Sequence, residues 1–324
     1  MKFLRNGFIL LITVIALDQL AGWILHRLYF SMKSGVQYET TFAMTKSTAD
    51  VVVTGSSKAR RNYNTPLIAD SLHLTCYNAG HDGQSLLFSY AVVKMMLAHY
   101  TPKMIVVEMF PEELYYKDVH YDRLNELLPY YADYPEVREV ALMRGERDEE
   151  GSSFEKKMIP FNTEKIKLLS QSYRYNSQWV DLIRGKGKKH KVESGYLPLN
   201  IVLTDALREK FIAEFEMQKA RERDRHIDAN KLKSLEGIAK LCAEKNVKLV
   251  LVMSPVLKRY DDDAVYDVVK KIALSHQLSF LDYTGDARFA DSKYFADNHM
   301  NGTGATYFSQ VLSQELKPLL AEKK

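Results

Sequence analysis

Val51-Val52-Val53-Thr54-Gly55-Ser56-Ser57 decides how this chain folds. A β-branched run with no polar alternation, closed by Gly-Ser-Ser, predicts a strand buried on both faces that ends in a tight turn. That is the pattern of a parallel sheet covered by helices, not of a half-solvated antiparallel one. Working outward from this first strand, placed over Asp50 to Thr54, four further short apolar runs predict its partners: Leu74 to Asn78, Met104 to Glu108, Lys248 to Met253 and Leu278 to Tyr283. Between the second and third, Ser85 to His99 carries Leu86, Leu87, Tyr90, Val93 and Met96 mostly at three- and four-residue steps, which predicts an amphipathic crossover helix. Asn230 to Glu244 has the same period before the fourth run, and Thr303 to Leu319 predicts a closing helix. Strand and helix alternate, so the expected class is α/β, a three-layer sandwich around a central parallel, five-stranded sheet.

The alternation breaks from Glu112 to Arg225, too long for an ordinary crossover, and rich in tyrosine (Tyr115, Tyr116, Tyr121, Tyr130, Tyr131, Tyr134). It reads as a largely helical insertion, about 112 to 228, within a domain whose core covers about 48 to 111 and 229 to 324. Such an insertion either caps the carboxyl edge of the sheet, shaping a substrate groove, or is a plain structural excursion. The basic run Arg184 to Lys191 within it is read first as a solvated loop, with anionic lipid or glycan as the alternative contact.

At 324 residues and 46% hydrophobic, with 15 glycines and 9 prolines, the chain can bury one large core. Its net charge of +4, without basic residues interleaved with aromatic ones, argues against nucleic acid as a partner. Cys76 and Cys242 lie in apolar runs without ligand spacing and are expected as buried free thiols. Neither a metal nor any other cofactor is expected.

At the N-terminus, Lys2 and Arg5 precede an apolar stretch from Gly7 to Leu25, which as a helix measures roughly 28 Å at ~1.5 Å per residue, close to the thickness of a bilayer core. Residues 1–32 are therefore expected as an uncleaved anchor and juxtamembrane segment, with residues 33–324 forming the main domain outside the cytoplasm. Membrane lipid becomes a partner through this helix. Asp18 interrupts the stretch, at about 2.5 to 3.5 kcal/mol if charged near the centre of a span, and leaves a cleaved signal peptide or a buried helix as alternatives.

In an open α/β sheet, ligands bind beyond the carboxyl ends of the strands. Ser57 is placed there, and a serine becomes a nucleophile when a base takes its proton. His299, in Asp297-Asn298-His299-Met300-Asn301 just before the last helix, is the candidate base. Standing alone, a Gly-Ser-Ser turn would more readily be read as a plain strand-to-helix connection or a phosphate-cradling turn, the latter using Arg60 and Arg61. Lys58, Arg60 and Arg61 are otherwise expected in ion pairs or facing solvent rather than on an acidic group of a substrate, and Asn301 and Gly302 are expected to shape the turn into the final helix.

With these segments in view, the chain resembles the SGNH (GDSL-like) hydrolase superfamily, in its membrane-anchored branch of cell-envelope O-acyltransferases and esterases. Gly55-Ser56-Ser57 resembles the first block of the family, with Ser56 where an Asp is usual. Tyr77-Asn78-Ala79-Gly80-His81-Asp82-Gly83 resembles the second. The resemblance implies Ser57 as nucleophile, His299 as base, Asp297 as the acid that orients it, and Gly80, Asn78 and Ser56 at the oxyanion or substrate. It also implies an acyl-serine intermediate and an acylated glycan or other ester as substrate. Two departures stand out. Val106 to Glu112 contains no Asn for the third block, and the acid's usual position, three before the histidine, is Ala296, with Asp297 two before it. The rival expectation is a non-catalytic protein of the same fold that binds glycan or assists envelope assembly.

Overall fold

The computed structural model describes residues 1–146, 162–184, 194–221, 225–258 and 264–321; the basic run following Arg184 lies outside them. The chain divides into two compact units, one of Met1–Thr41 with Asp118–Lys191 and one of Phe42–Lys117 with Val192–Lys324. The segment 112–228, expected as one insertion, is thus shared between the two.

The second unit holds the sheet. Its five strands are β1 (Val51–Thr54), β2 (Cys76–Asn78), β3 (Met104–Glu108), β4 (Lys248–Met253) and β5 (Ser279–Asp282), each within or coincident with its expected run. All pairings are parallel, in the order β2-β1-β3-β4-β5. The fold is α/β with helices flanking the sheet. Every residue of β1 and β3 is buried, as an unbroken apolar run requires, while the edge strand β5 is only half-buried. The order reverses between β1 and β3, which places the crevice for a ligand at the carboxyl ends of those two strands.

One side of the sheet packs against the C-terminal helix Gly302–Ala321, through Ala305, Phe308, Leu312 and Leu316 against Val51, Val53, Val106 and Val250. The helix Leu86–His99 corrects one expectation. It is buried nearly all round rather than on one face, since helix Ala229–Glu244 also packs on it. The two helices approach so closely that a Cβ on Gly237 would lie 2.7 Å from the ring of Tyr90. Asp228 caps the second of these helices by accepting from the N–H groups of Asn230 and Lys231. Cys76 is half-buried, Cys242 is buried, and both are free thiols.

The first unit is built on one helix, Lys2–Phe30, long and apolar enough to cross a membrane. Its N-terminal part is exposed, whereas Gly22, Leu25 and Tyr29 are buried. The Tyr29 hydroxyl bonds that of Tyr130 at 3.1 Å, and Tyr130 in turn bonds Thr41 at 2.7 Å. Asp18 is not left bare. Its carboxylate accepts from the hydroxyls of Ser170 and Ser172, and from the backbone N–H groups of Gln171 (2.8 Å) and Ser172 (3.2 Å). Gly22 lies against the same turn, where an added Cβ would stand 2.3 Å from that of Gln171. Near the helix end, the guanidinium of Arg27 sits 4.6 Å over the ring of Trp23.

Candidate active site

The site lies within the sheet-bearing unit and begins where β1 ends. Gly55 has φ +148°, and a Cβ there would come within 2.8 Å of that of Glu108 on the neighbouring strand, so the sharp exit from β1 requires glycine. Ser56 then caps the short helix Ser57–Asn62, accepting the Lys58 N–H at 3.3 Å. Ser57 is thereby the first helical residue, and its own N–H has no carbonyl within the helix to bond.

His299 reaches it from the far end of the chain. The Ser57 hydroxyl is 2.7 Å from His299 Nε2, although the residues stand 242 positions apart. The other ring nitrogen, Nδ1, is 2.8 Å from Asp297 Oδ1, and the same oxygen accepts the backbone N–H of His299 at 2.7 Å. A carboxylate can only accept, so Nδ1 carries the proton, and Nε2 is left to accept from the serine. The bend that lets Asp297 turn back on a residue two ahead is closed by a bridge between Phe295 and Met300, with the Ala296 N–H on the His299 carbonyl. Asn301 holds the exit. Its amide donates to the carbonyls of Lys293 and Phe295, and its oxygen accepts from Gly304 at the start of the last helix.

Electrostatics favour the neutral base. Burial, reinforced by the charges of Lys58 and Arg61, pulls the pKa of His299 below its ordinary 6.5 against the opposing pull of Asp297. Burial also works to raise Asp297, but the hydrogen bonds from His299 and the cationic charge nearby outweigh it and hold that carboxyl below the usual range.

A second, buried layer fixes the loop that carries the histidine. Asn62 accepts the Met300 N–H at 3.0 Å and donates to Ser254 Oγ at 2.8 Å, which donates to Glu108 Oε1 at 2.8 Å. The Tyr63 hydroxyl also donates to Glu108. Lys58 is buried rather than solvated, its ammonium donating to the Asn298 carbonyl and lying 5.1 Å from the ring centre of Phe110. Burial raises Glu108 to about 7 and lowers Lys58 to about 8, each moderated by the other's charge. Sequence reasoning passed over Glu108 and Ser254 as site residues. The signal for Glu108 was there, a carboxylate closing an otherwise wholly apolar strand.

The residues expected at the oxyanion serve the scaffold as they stand. Gly80 donates its N–H to Asn78 Oδ1 at 2.9 Å, and the Asn78 amide donates to the carbonyls of Ala59 (2.7 Å) and Tyr63 (3.2 Å). Together they tie the end of β2 to the helix carrying Ser57. Arg60 and Arg61 turn to Asp82, at 3.7 and 2.7 Å. Among the described residues, no group of three or more His, Cys, Asp or Glu side chains is arranged to hold a metal ion. Neither the models of known protein families nor the curated proteins include a match to this chain.

Proposed function

We propose that this protein is a membrane-tethered serine esterase or O-acyltransferase of the SGNH type, acting outside the cytoplasm on an acylated glycan or related ester. The observation that carries this is the hydrogen-bonded series Ser57–His299–Asp297, assembled from opposite ends of the chain at the topological switch point of the sheet. Ser57 Oγ attacks the ester carbonyl while His299 Nε2 takes its proton. The Asp297 carboxylate holds Nδ1–H and stabilises the imidazolium that forms. Collapse of the tetrahedral intermediate expels the alcohol, which receives the proton, and leaves an acyl-serine. His299 then deprotonates water or a sugar hydroxyl, whose attack frees Ser57. The Ser57 N–H, at the start of its helix, would receive the developing oxyanion, and Gly80 would join it by exchanging Asn78 Oδ1 for the substrate oxygen.

That exchange is also what favours the second reading, a glycan-binding protein of the same fold, because the Gly80 and Asn78 donors are already satisfied. Incubating the full-length protein in detergent with a fluorophosphonate probe separates the two. Covalent labelling at Ser57, lost in Ser57→Ala and His299→Ala, is expected of the enzyme. A folded protein that takes no label is the binding module.

A further inference from the structure

We infer that the stretch Glu164–Leu182 is a second membrane element, lying in the lipid leaflet from which the N-terminal helix emerges, with acyl chains filling the cleft between the two. This rests on the reading that the helix enters a bilayer, and its ground is the depth at which the stretch is fastened. Asp18, which accepts the four bonds from residues 170–172, stands twelve positions before the end of the helix at Phe30, or roughly 18 Å along its axis. If Gly7 to Leu25 occupies the hydrocarbon core, Asp18 lies roughly 10 Å inside its outer boundary. The turn fastened to it is carried to that depth.

The side chains of the stretch suit such a place. Ile166, Leu169, Trp179 and Val180 are 53%, 74%, 50% and 37% exposed, and Trp179 borders one cleft with Ile24 of the helix, on which Leu20 and Trp23 are also exposed. Between them opens a mainly apolar cleft of about 680 Å³, walled by Ile24, Leu25 and Trp179 with Ser170, Ser172 and Asn176. Of the polar residues that line it, Ser170 and Ser172 are bonded to Asp18. Charged groups elsewhere in the stretch are largely paired within the protein. Glu164 is buried against Arg144 (3.1 Å) and Lys167 (2.9 Å), and Arg174 donates to Gln171 Oε1 (2.6 Å) and the Leu168 carbonyl (3.1 Å). Lys165, exposed, has a stem long enough to bring its ammonium up to the headgroups. Lys167, Asn176 and Ser177 are exposed as well, so the stretch presents a mixed polar and apolar surface of the kind that settles at a lipid boundary beside the adjoining helix.

The chain's two tryptophans provide the test, since one lies on each element. Full-length Trp23→Phe and Trp179→Phe, each with a single tryptophan left, are reconstituted into phosphatidylcholine vesicles carrying bromine on the upper acyl carbons. Both emissions are expected to fall by roughly twofold, and aqueous iodide should have little effect on either. Quenching of Trp23 by lipid together with quenching of Trp179 by iodide alone would overturn the inference and leave the anchor standing. Failure of the lipid to quench either would remove the anchor and the inference together, without touching the esterase chemistry.

Discussion

The serine, the imidazole and the carboxylate are held by contacts of different kinds, and their titration separates these. His299 must be neutral to accept a proton, and its pKa is drawn below 6.5, chiefly by burial. The rate of fluorophosphonate labelling should therefore rise with pH along a limb whose midpoint lies below 6.5, then stay level through neutrality. Asp297 raises that pKa, so Asp297→Asn should move the midpoint lower and reduce the plateau by about 10²- to 10⁴-fold, the range expected when the ring loses its fixed tautomer. Lys58 lowers it, so Lys58→Met should move the midpoint up. Shifts in the same direction for both variants would show that charge at these positions does not tune the base. Of these residues, Ser57 and His299 were legible as candidates because a strand-ending Gly-Ser-Ser and a histidine before the last helix are local patterns, whereas Asp297 entered only through the family resemblance. The burial of Lys58 was not, since it depends on Asn298 and Phe110 closing over a side chain that local sequence places at an open helix start.

At the scale of elements, two junctions position the reacting groups. Asn62 ends the helix of Ser57 and holds the loop of His299 by the Met300 N–H, and with Lys58 on the Asn298 carbonyl it fixes the distance between nucleophile and base. In Asn62→Ala that buried N–H and Ser254 Oγ lose a partner, and denaturation should show a loss of about 1 to 3 kcal/mol, with labelling slowed further than stability alone explains. Gly80→Ala acts on the other junction. Its Cβ would meet the Arg60 nitrogen at 2.6 Å and the Ala59 Cβ at 2.7 Å, wedging the helix from the end of β2. Overpacking of this kind costs about 1 to 3 kcal/mol, and a variant with unchanged stability and labelling would show that the loop yields freely. The strands were readable because a buried parallel strand leaves an unbroken apolar run, and β3 and β4 match their runs to the residue. Burial of Leu86–His99 nearly all round was not readable. Ser89 and Lys94 imitate a wet face between the apolar positions, and the packing of Ala229–Glu244 on this helix is a long-range event that the local pattern does not show.

At the scale of the whole molecule, the N-terminal helix is part of a folded unit as well as a candidate anchor, and Asp18 distinguishes a plain anchor from one built into the fold. In a bare anchor, replacing a carboxylate in an apolar span by leucine removes an unfavourable group and should strengthen insertion. Here the carboxylate closes a turn, and Asp18→Leu would leave the N–H groups of Gln171 and Ser172 without their acceptor beside a well-packed Gly22. Each such group costs about 1 to 3 kcal/mol when buried. The expected outcome is opposite in the two properties: the variant stays fully in the membrane fraction, while the unit of Met1–Thr41 and Asp118–Lys191 opens. In proteoliposomes, limited proteolysis should then cut within Arg123–Leu142 at a concentration that spares the unsubstituted protein, because the cluster of Tyr29, Tyr130 and Thr41 depends on the helix staying seated. Asp18→Asn, which keeps one acceptor oxygen, should fall between the two. Equal protease resistance in all three would mean that the helix is an anchor alone, and that the turn at Ser170–Ser172 is held by the rest of its unit.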